Sequence, residues 1–294
     1  MKLRAAVAAL ALFVLTAAAA PAPRDAMLVS TAWLAEQTGD PNLVILHVGS
    51  PDSYAQHIPG ARLVRTADIA VSSEEGGTLE MLPEGELRLH LAGLGIGDRS
   101  RIVVYYAEVP QQATRVVFTL DAAGLGARTS LLDGGMAAWQ REGRPMTAET
   151  PTEHIGTLAP LKMKKDVVVD AKFVQEHVKA PGYAVIDARL PAFYDGTQTG
   201  GSKEKPHKTG HIAGAKNVPI TSLTDDKAKI QPAAALAAAF EKAGVKQGDK
   251  LIVYCHIGQQ ASGIIFAART LGYDAVLYDG SFEDWSKRDL PVEK

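Results

Sequence analysis

The chain has a single cysteine, no marked excess of either charge, and no apolar run of the length a membrane span needs. One cysteine excludes an intramolecular disulfide framework and any Cys-rich zinc or iron–sulfur site. It also excludes dithiol redox chemistry, because no second thiol can resolve a mixed disulfide. Thirty-one Lys and Arg against thirty-three Asp and Glu leave a formal charge of −2, so nothing advertises a nucleic-acid partner. With 46% hydrophobic and 22% charged residues, the 294-residue chain is neither disordered nor collagen-like. At about 150 residues per domain the length suggests two domains, each able to bury a core. One thiol remains to be explained.

Residues 1–19 read as a signal peptide, with an irregular stretch continuing to about residue 26. Lys2 and Arg4 precede an apolar run, Ala5–Ala20, of signal-peptide rather than membrane-span length. Cleavage after Ala19 places small residues at Ala17 and Ala19 and avoids Pro21 just beyond the cut. No cysteine lies nearby for a lipoprotein anchor. The expectation is export to a periplasm or beyond, with no membrane span left after processing. Purified exported protein still beginning at Met1 would contradict it.

The rest of the chain is a duplication. His57-Ile58-Pro59-Gly60-Ala61 returns as His211-Ile212-Ala213-Gly214-Ala215, and Asp133-Gly134-Gly135 with Trp139 returns as Asp279-Gly280-Ser281 with Trp285. Order is kept while loop lengths drift. The apolar β-branched runs Leu43–Val48, Ile102–Tyr106, Ala184–Asp187 and Leu251–Tyr254 are too short for helices and lack polar alternation, so they predict buried parallel strands. Ala113–Ala123, Ala233–Ala243 and Ala261–Leu271 predict helices, each followed by a glycine (Gly124, Gly244, Gly272) where a left-handed cap belongs. Alternation of the two implies an α/β fold: two tandem domains, each a mainly parallel sheet with helices on both faces. The boundaries read as 27–146 and 166–294, joined by a Pro-bearing linker over 147–165.

Cys255 ends a predicted strand and opens the loop His256-Ile257-Gly258-Gln259-Gln260-Ala261 before a helix. Ligands of open α/β sheets bind beyond the carboxyl ends of the strands. A loop curling into a helix start aims several N–H groups at one point and stabilises an anion there. The expectation is a thiolate of lowered pKa. A phosphatase on this plan needs an arginine six residues after the cysteine to grip the phosphoryl group, but that position is Ala261. A protease-like site needs a histidine base and its partner, which spacing does not locate. What remains is a thiolate that accepts one atom and passes it on.

On Asp187-Ala188-Arg189, the His211–Ala215 motif with Asn217 and Pro219, the Cys255 loop, and Asp279-Gly280 with Trp285, the chain resembles the tandem-domain rhodanese family of sulfurtransferases. The resemblance implies that Cys255 takes the sulfane sulfur of a donor such as thiosulfate. The persulfide then gives that sulfur to cyanide or a thiol, with no metal or organic cofactor. It also implies that the amides of Ile257 through Ala261 hold the persulfide and that Asp187 and Arg189 support the loop. A non-turnover persulfide carrier serving a protein acceptor is the alternative.

In the first copy Tyr106 stands in place of the cysteine, and His47 and Gly49 replace the Asp and Arg. That copy is expected to be catalytically silent and to buttress the other. Phe193 occupies the position where better-known members carry a donor-binding arginine, and His256 and Ile257 replace basic residues after the cysteine. His256 reads either as a compensating cation when protonated or as a solvent-facing residue with no role. The basic loop bearing Lys203, Lys205, His207 and Lys208 reads first as a solvated surface loop and second as a positively charged flap giving longer-range help. Gln259 and Gln260 either hydrogen-bond the donor or cap the helix.

Overall fold

A computed structural model describes residues 23–71 and 79–294. The expected signal segment, apart from the tail of the irregular stretch, lies outside them. Two five-stranded sheets are present, with all pairings parallel. The first runs, edge to edge, Ala61–Val64, Leu43–Val48, Arg101–Tyr106, Thr129–Leu132 and Leu28–Val29. The second repeats that order with Lys216–Asn217, Tyr183–Asp187, Lys250–Tyr254, Ala275–Tyr278 and Val168–Val169. Their central strands are nearly solvent-free, which is why the runs lack polar alternation.

Register fixes the equivalence of the copies. His47 pairs with Tyr105 as Asp187 pairs with Tyr254, so Tyr106 and Cys255 occupy the same next position. Finer details repeat. Tyr54 stacks on His57 at 3.9 Å as Tyr194 stacks on His211 at 3.7 Å. Trp139 donates to the Pro145 carbonyl as Trp285 donates to that of Pro291.

The predicted helices form over Pro110–Ala122, Ala233–Lys242 and Gln259–Thr270. Gly124, Gly244 and Gly272 terminate them with φ of 83°, 74° and 85°. Each sheet covers its outer face separately, around Trp139 in one copy and Trp285 in the other. The inner faces share one core in which Val116 and Leu120 join Ile264, Ile265 and Ala268. Across this seam the equivalent residues Thr114 and Ser262 meet, their hydroxyls 3.1 Å apart. Residues 148–164 hold no helix or strand and run as a strap against the first copy. Gly156 N–H donates to the Ala92 carbonyl, and Asp98 N–H to that of Thr157.

One expectation is corrected. The stretch expected to be irregular to about residue 26 turns into helix at Pro23–Met27. Proline suits a helix's first turn, and Arg24 Nη2 anchors the turn by donating to the Ile230 carbonyl of the second copy.

Candidate active site

Cys255 follows the last residue of the Lys250–Tyr254 strand, and the Gln259–Thr270 helix starts four residues later. Gly258 makes the turn between them at φ 86°, a conformation that favours glycine. The N–H groups of Ala261, Ile257, Gln260 and Gly258 converge on the sulfur. The backbone of Cys255 is clamped on both sides by the Asp279–Glu283 turn. Its N–H donates to Ser281 Oγ at 3.2 Å and its carbonyl accepts Phe282 N–H at 3.0 Å. Ser281 sits at φ 53°, where its counterpart Gly135 has φ 54°. The second copy thus bears left-handed backbone at a non-glycine residue, and the hydroxyl it gains holds the cysteine.

The predicted cradle is present, yet the net effect on the thiol has the opposite sign to the one expected. Cys255 is fully buried. Loss of solvation pushes its pKa above the ordinary value, and the four amides only partly offset this. The resting group is therefore a thiol at neutral pH. Amides so placed stabilise negative charge on the sulfur where it forms.

His256 departs from one of its expected readings as well. Its ring meets Phe193 edge-on at 4.6 Å and lies 6.0 Å from His207. Burial, then the nearby positive charge of Arg189 and the neighbouring His207, lower its pKa to about 4. It is neutral, which goes against the reading of His256 as a cation. Burial also lowers the pKa of His207. The 196–210 loop does come to the mouth: Gly200 packs against both imidazoles, and a Cβ there would lie 2.7 Å from His256 Nδ1. Lys208, however, is engaged elsewhere, donating to the Arg288 and Leu290 carbonyls. The rings of Phe193, His207 and His256 meet at the mouth, and both imidazoles are neutral there. His207 Nδ1 and Gln260 Oε1 are buried without a hydrogen-bond partner among the described residues.

These shifts set a pH profile. Below its pKa a thiol gains thiolate about tenfold per pH unit, so single-turnover sulfur loading should climb steadily from about pH 6 to 8.5. A rate that instead declined as pH rose through about 6.5 would restore a cationic His256.

Asp187 and Arg189 form a buried, forked pair. Arg189 Nε lies 3.0 Å from both carboxylate oxygens and Nη2 2.5 Å from Oδ2. Burial works against the guanidinium's charge, and Asp187 outweighs it. Arg189 also donates to the Gly210 carbonyl and stacks 3.9 Å from the Phe282 ring. It thus supports both the 196–210 loop and the turn that clamps Cys255. Tyr254 donates to Asp187 Oδ2, completing the acceptor's bonds.

In the first copy, His47 links Tyr105 and Ser53 where Asp187 would be. Gly49 leaves the space that pairing needs, since a Cβ there would lie 2.9 Å from His47 Nε2. The Tyr106 hydroxyl is deeply buried and donates to the Ala228 carbonyl of the second copy; burial raises its pKa further. Sequence reasoning missed Arg115, which sits beside Gly258. Its signal was a charged residue inside an otherwise apolar helical stretch.

The chain is two parallel α/β units, the second of which encloses a lone thiol in the amides of a strand–loop–helix junction. The chain belongs to the rhodanese-like family: the rhodanese-like domain matches residues 30–142 and again 170–288. It is 28% identical over 270 residues to a thiosulfate sulfurtransferase of Azotobacter vinelandii, covering 91% of this chain and 97% of that one. It is 29% identical to the sulfur carrier protein TtuD of Thermus thermophilus, covering 91% and 96%. The crystal structure of YnjE superposes with a TM-score of 0.83 at 23% identity, over 93% of this chain and 69% of that one, and supports the fold alone.

Proposed function

We propose that the chain is a sulfurtransferase in which Cys255 carries the sulfur. The thiolate attacks the outer sulfur of a sulfane donor such as thiosulfate. The donor's S–S bond breaks, sulfite departs with its electron pair, and a cysteine persulfide is left. A thiophilic acceptor, cyanide or a thiol, then attacks the outer sulfur and restores Cys255. The amide cradle carries this reading: donors aimed at a buried sulfur stabilise charge appearing on it. Likeness to a named thiosulfate sulfurtransferase over nine-tenths of the chain supports the same conclusion.

The two neutral imidazoles and Phe193 at the mouth bear on the donor. Each charged hydrogen bond absent from a dianion is worth roughly 1.5–3 kcal/mol, so a high KM for thiosulfate is expected, and 3-mercaptopyruvate is disfavoured for want of a carboxylate-binding arginine. A second reading, a persulfide carrier that unloads only to a protein, is favoured by the complete enclosure of the sulfur and by the likeness to a named carrier. A steady-state assay with thiosulfate and cyanide separates the two. Sustained thiocyanate release supports the enzyme, and one equivalent of sulfite without turnover supports the carrier. Export through the 1–19 segment remains part of the proposal.

A further inference from the structure

The two copies exchange support, and the exchange is unequal. In one direction the Ile230 N–H of the second copy donates to Asp133 at 2.9 Å. In the other, the Met81 N–H of the first copy donates to Asp279 at 3.2 Å. Asp133 and Asp279 are the same position of the repeat, so these two contacts match. Arg115 has no such match. It lies one residue beyond Thr114 as Gly263 lies one beyond Ser262, and a Cβ on Gly263 would lie 2.6 Å from the Ile220 Cδ1, so a side chain there would displace Ile220.

Arg115 itself is almost completely buried and reaches out of its own copy. Nη1 lies 2.6 Å and Nη2 3.2 Å from the two oxygens of Asp279, and Nη2 also donates to the Leu79 carbonyl at 2.5 Å. Asp279 opens the turn whose next residues hold the Cys255 amide and carbonyl. On its other side the pair abuts the cradle. A Cβ on Gly258 would lie 2.7 Å from Asp279 Oδ1 and 2.8 Å from Arg115 Nη1. The Arg115–Asp279 pair thus forms the back wall for both the clamp and one of the four converging amides.

Resting on the proposed role of Cys255, the geometry points to Arg115 as a positioning residue for sulfur transfer, supplied by the copy that carries no cysteine. Its hydrogen bonds go to Asp279 and Leu79, not to Cys255. Arg115 fixes the direction of the Gly258 amide toward the sulfur, and amide direction governs its worth in the transition state. The same contact gives the Tyr106 copy a use: it supplies an arginine that serves its partner, where the reciprocal position is Gly263.

The test is single-turnover persulfide formation and steady-state kinetics on full-length Arg115→Met and Arg115→Lys, with Thr114→Ala as a variant of the same seam. Arg115→Met should load sulfur at least tenfold more slowly and lose kcat in proportion, with KM for the donor within twofold of wild type. Lysine keeps the charge but cannot fork, so Arg115→Lys should fall between, about three- to tenfold down. Thr114→Ala should load at the wild-type rate. If Arg115→Met does not fold, Arg115→Lys decides on the same criteria. A folded Arg115 variant with wild-type loading, or one in which KM rises while kcat holds, overturns the inference. Failure of the wild-type protein to load sulfur at all refutes the role of Cys255 instead, so the two failures are distinct.

Discussion

Cys255→Ser should lose sulfur loading altogether and at least about a thousandfold of turnover. The substitution keeps the strand end, the turn and the four amides but exchanges the sulfur for an oxygen. That hydroxyl, fully enclosed, is no nucleophile at neutral pH and offers no soft atom to accept a sulfane sulfur. Swapping one atom in place should leave stability within about 1 kcal/mol of wild type, so a folded, inert protein is expected. Kinetics and a melting curve on the same sample check both halves. Turnover above a tenth of wild type would place the chemistry elsewhere.

Breaking the Asp187–Arg189 pair should give the largest loss of stability. Both side chains are essentially solvent-free, and removing one partner leaves a buried charge or a set of buried donors unanswered. Such a loss costs about 3–5 kcal/mol, on the order of 10 °C in Tm. Asp187→Ala should be the harsher single change, because it strands a guanidinium between Phe282 and the Gly210 carbonyl. Asp187→Leu combined with Arg189→Met should cost less than either change alone, since buried ion pairs repay little beyond their own desolvation. Additive losses would show that the two side chains act separately.

The strand–helix order of both copies was legible because buried parallel strands write themselves as short β-branched runs and helices end at glycines such as Gly124 and Gly272. Cys255 could be placed because it ends such a run. Helix starts were read late: Pro110 and Gln259 begin helices that apolar spacing first signals at Ala113 and Ala261. Polar residues of a first turn carry no periodic signal.

Properties set by distant contacts were not legible. The charge of His256 depends on Phe193, His207 and Arg189, which fold around it from far along the chain. The sign of the Cys255 shift depends on how completely the fold encloses the sulfur, and the loop sequence reveals only the amides. Arg115 looks like a helix-surface residue until Asp279, 164 positions away, is packed against it. The equivalence of His47 with Asp187 could be aligned in sequence. That a neutral imidazole suffices there follows from Gly49, which removes the arginine needing an answer.

The most direct test is the intact mass of the protein after exposure to thiosulfate and removal of the excess, with the modified peptide sequenced. A gain of one sulfur atom on the peptide containing Cys255, discharged when cyanide is added, is the predicted result. An unchanged mass at a pH where the thiol reacts with alkylating agents would contradict the account.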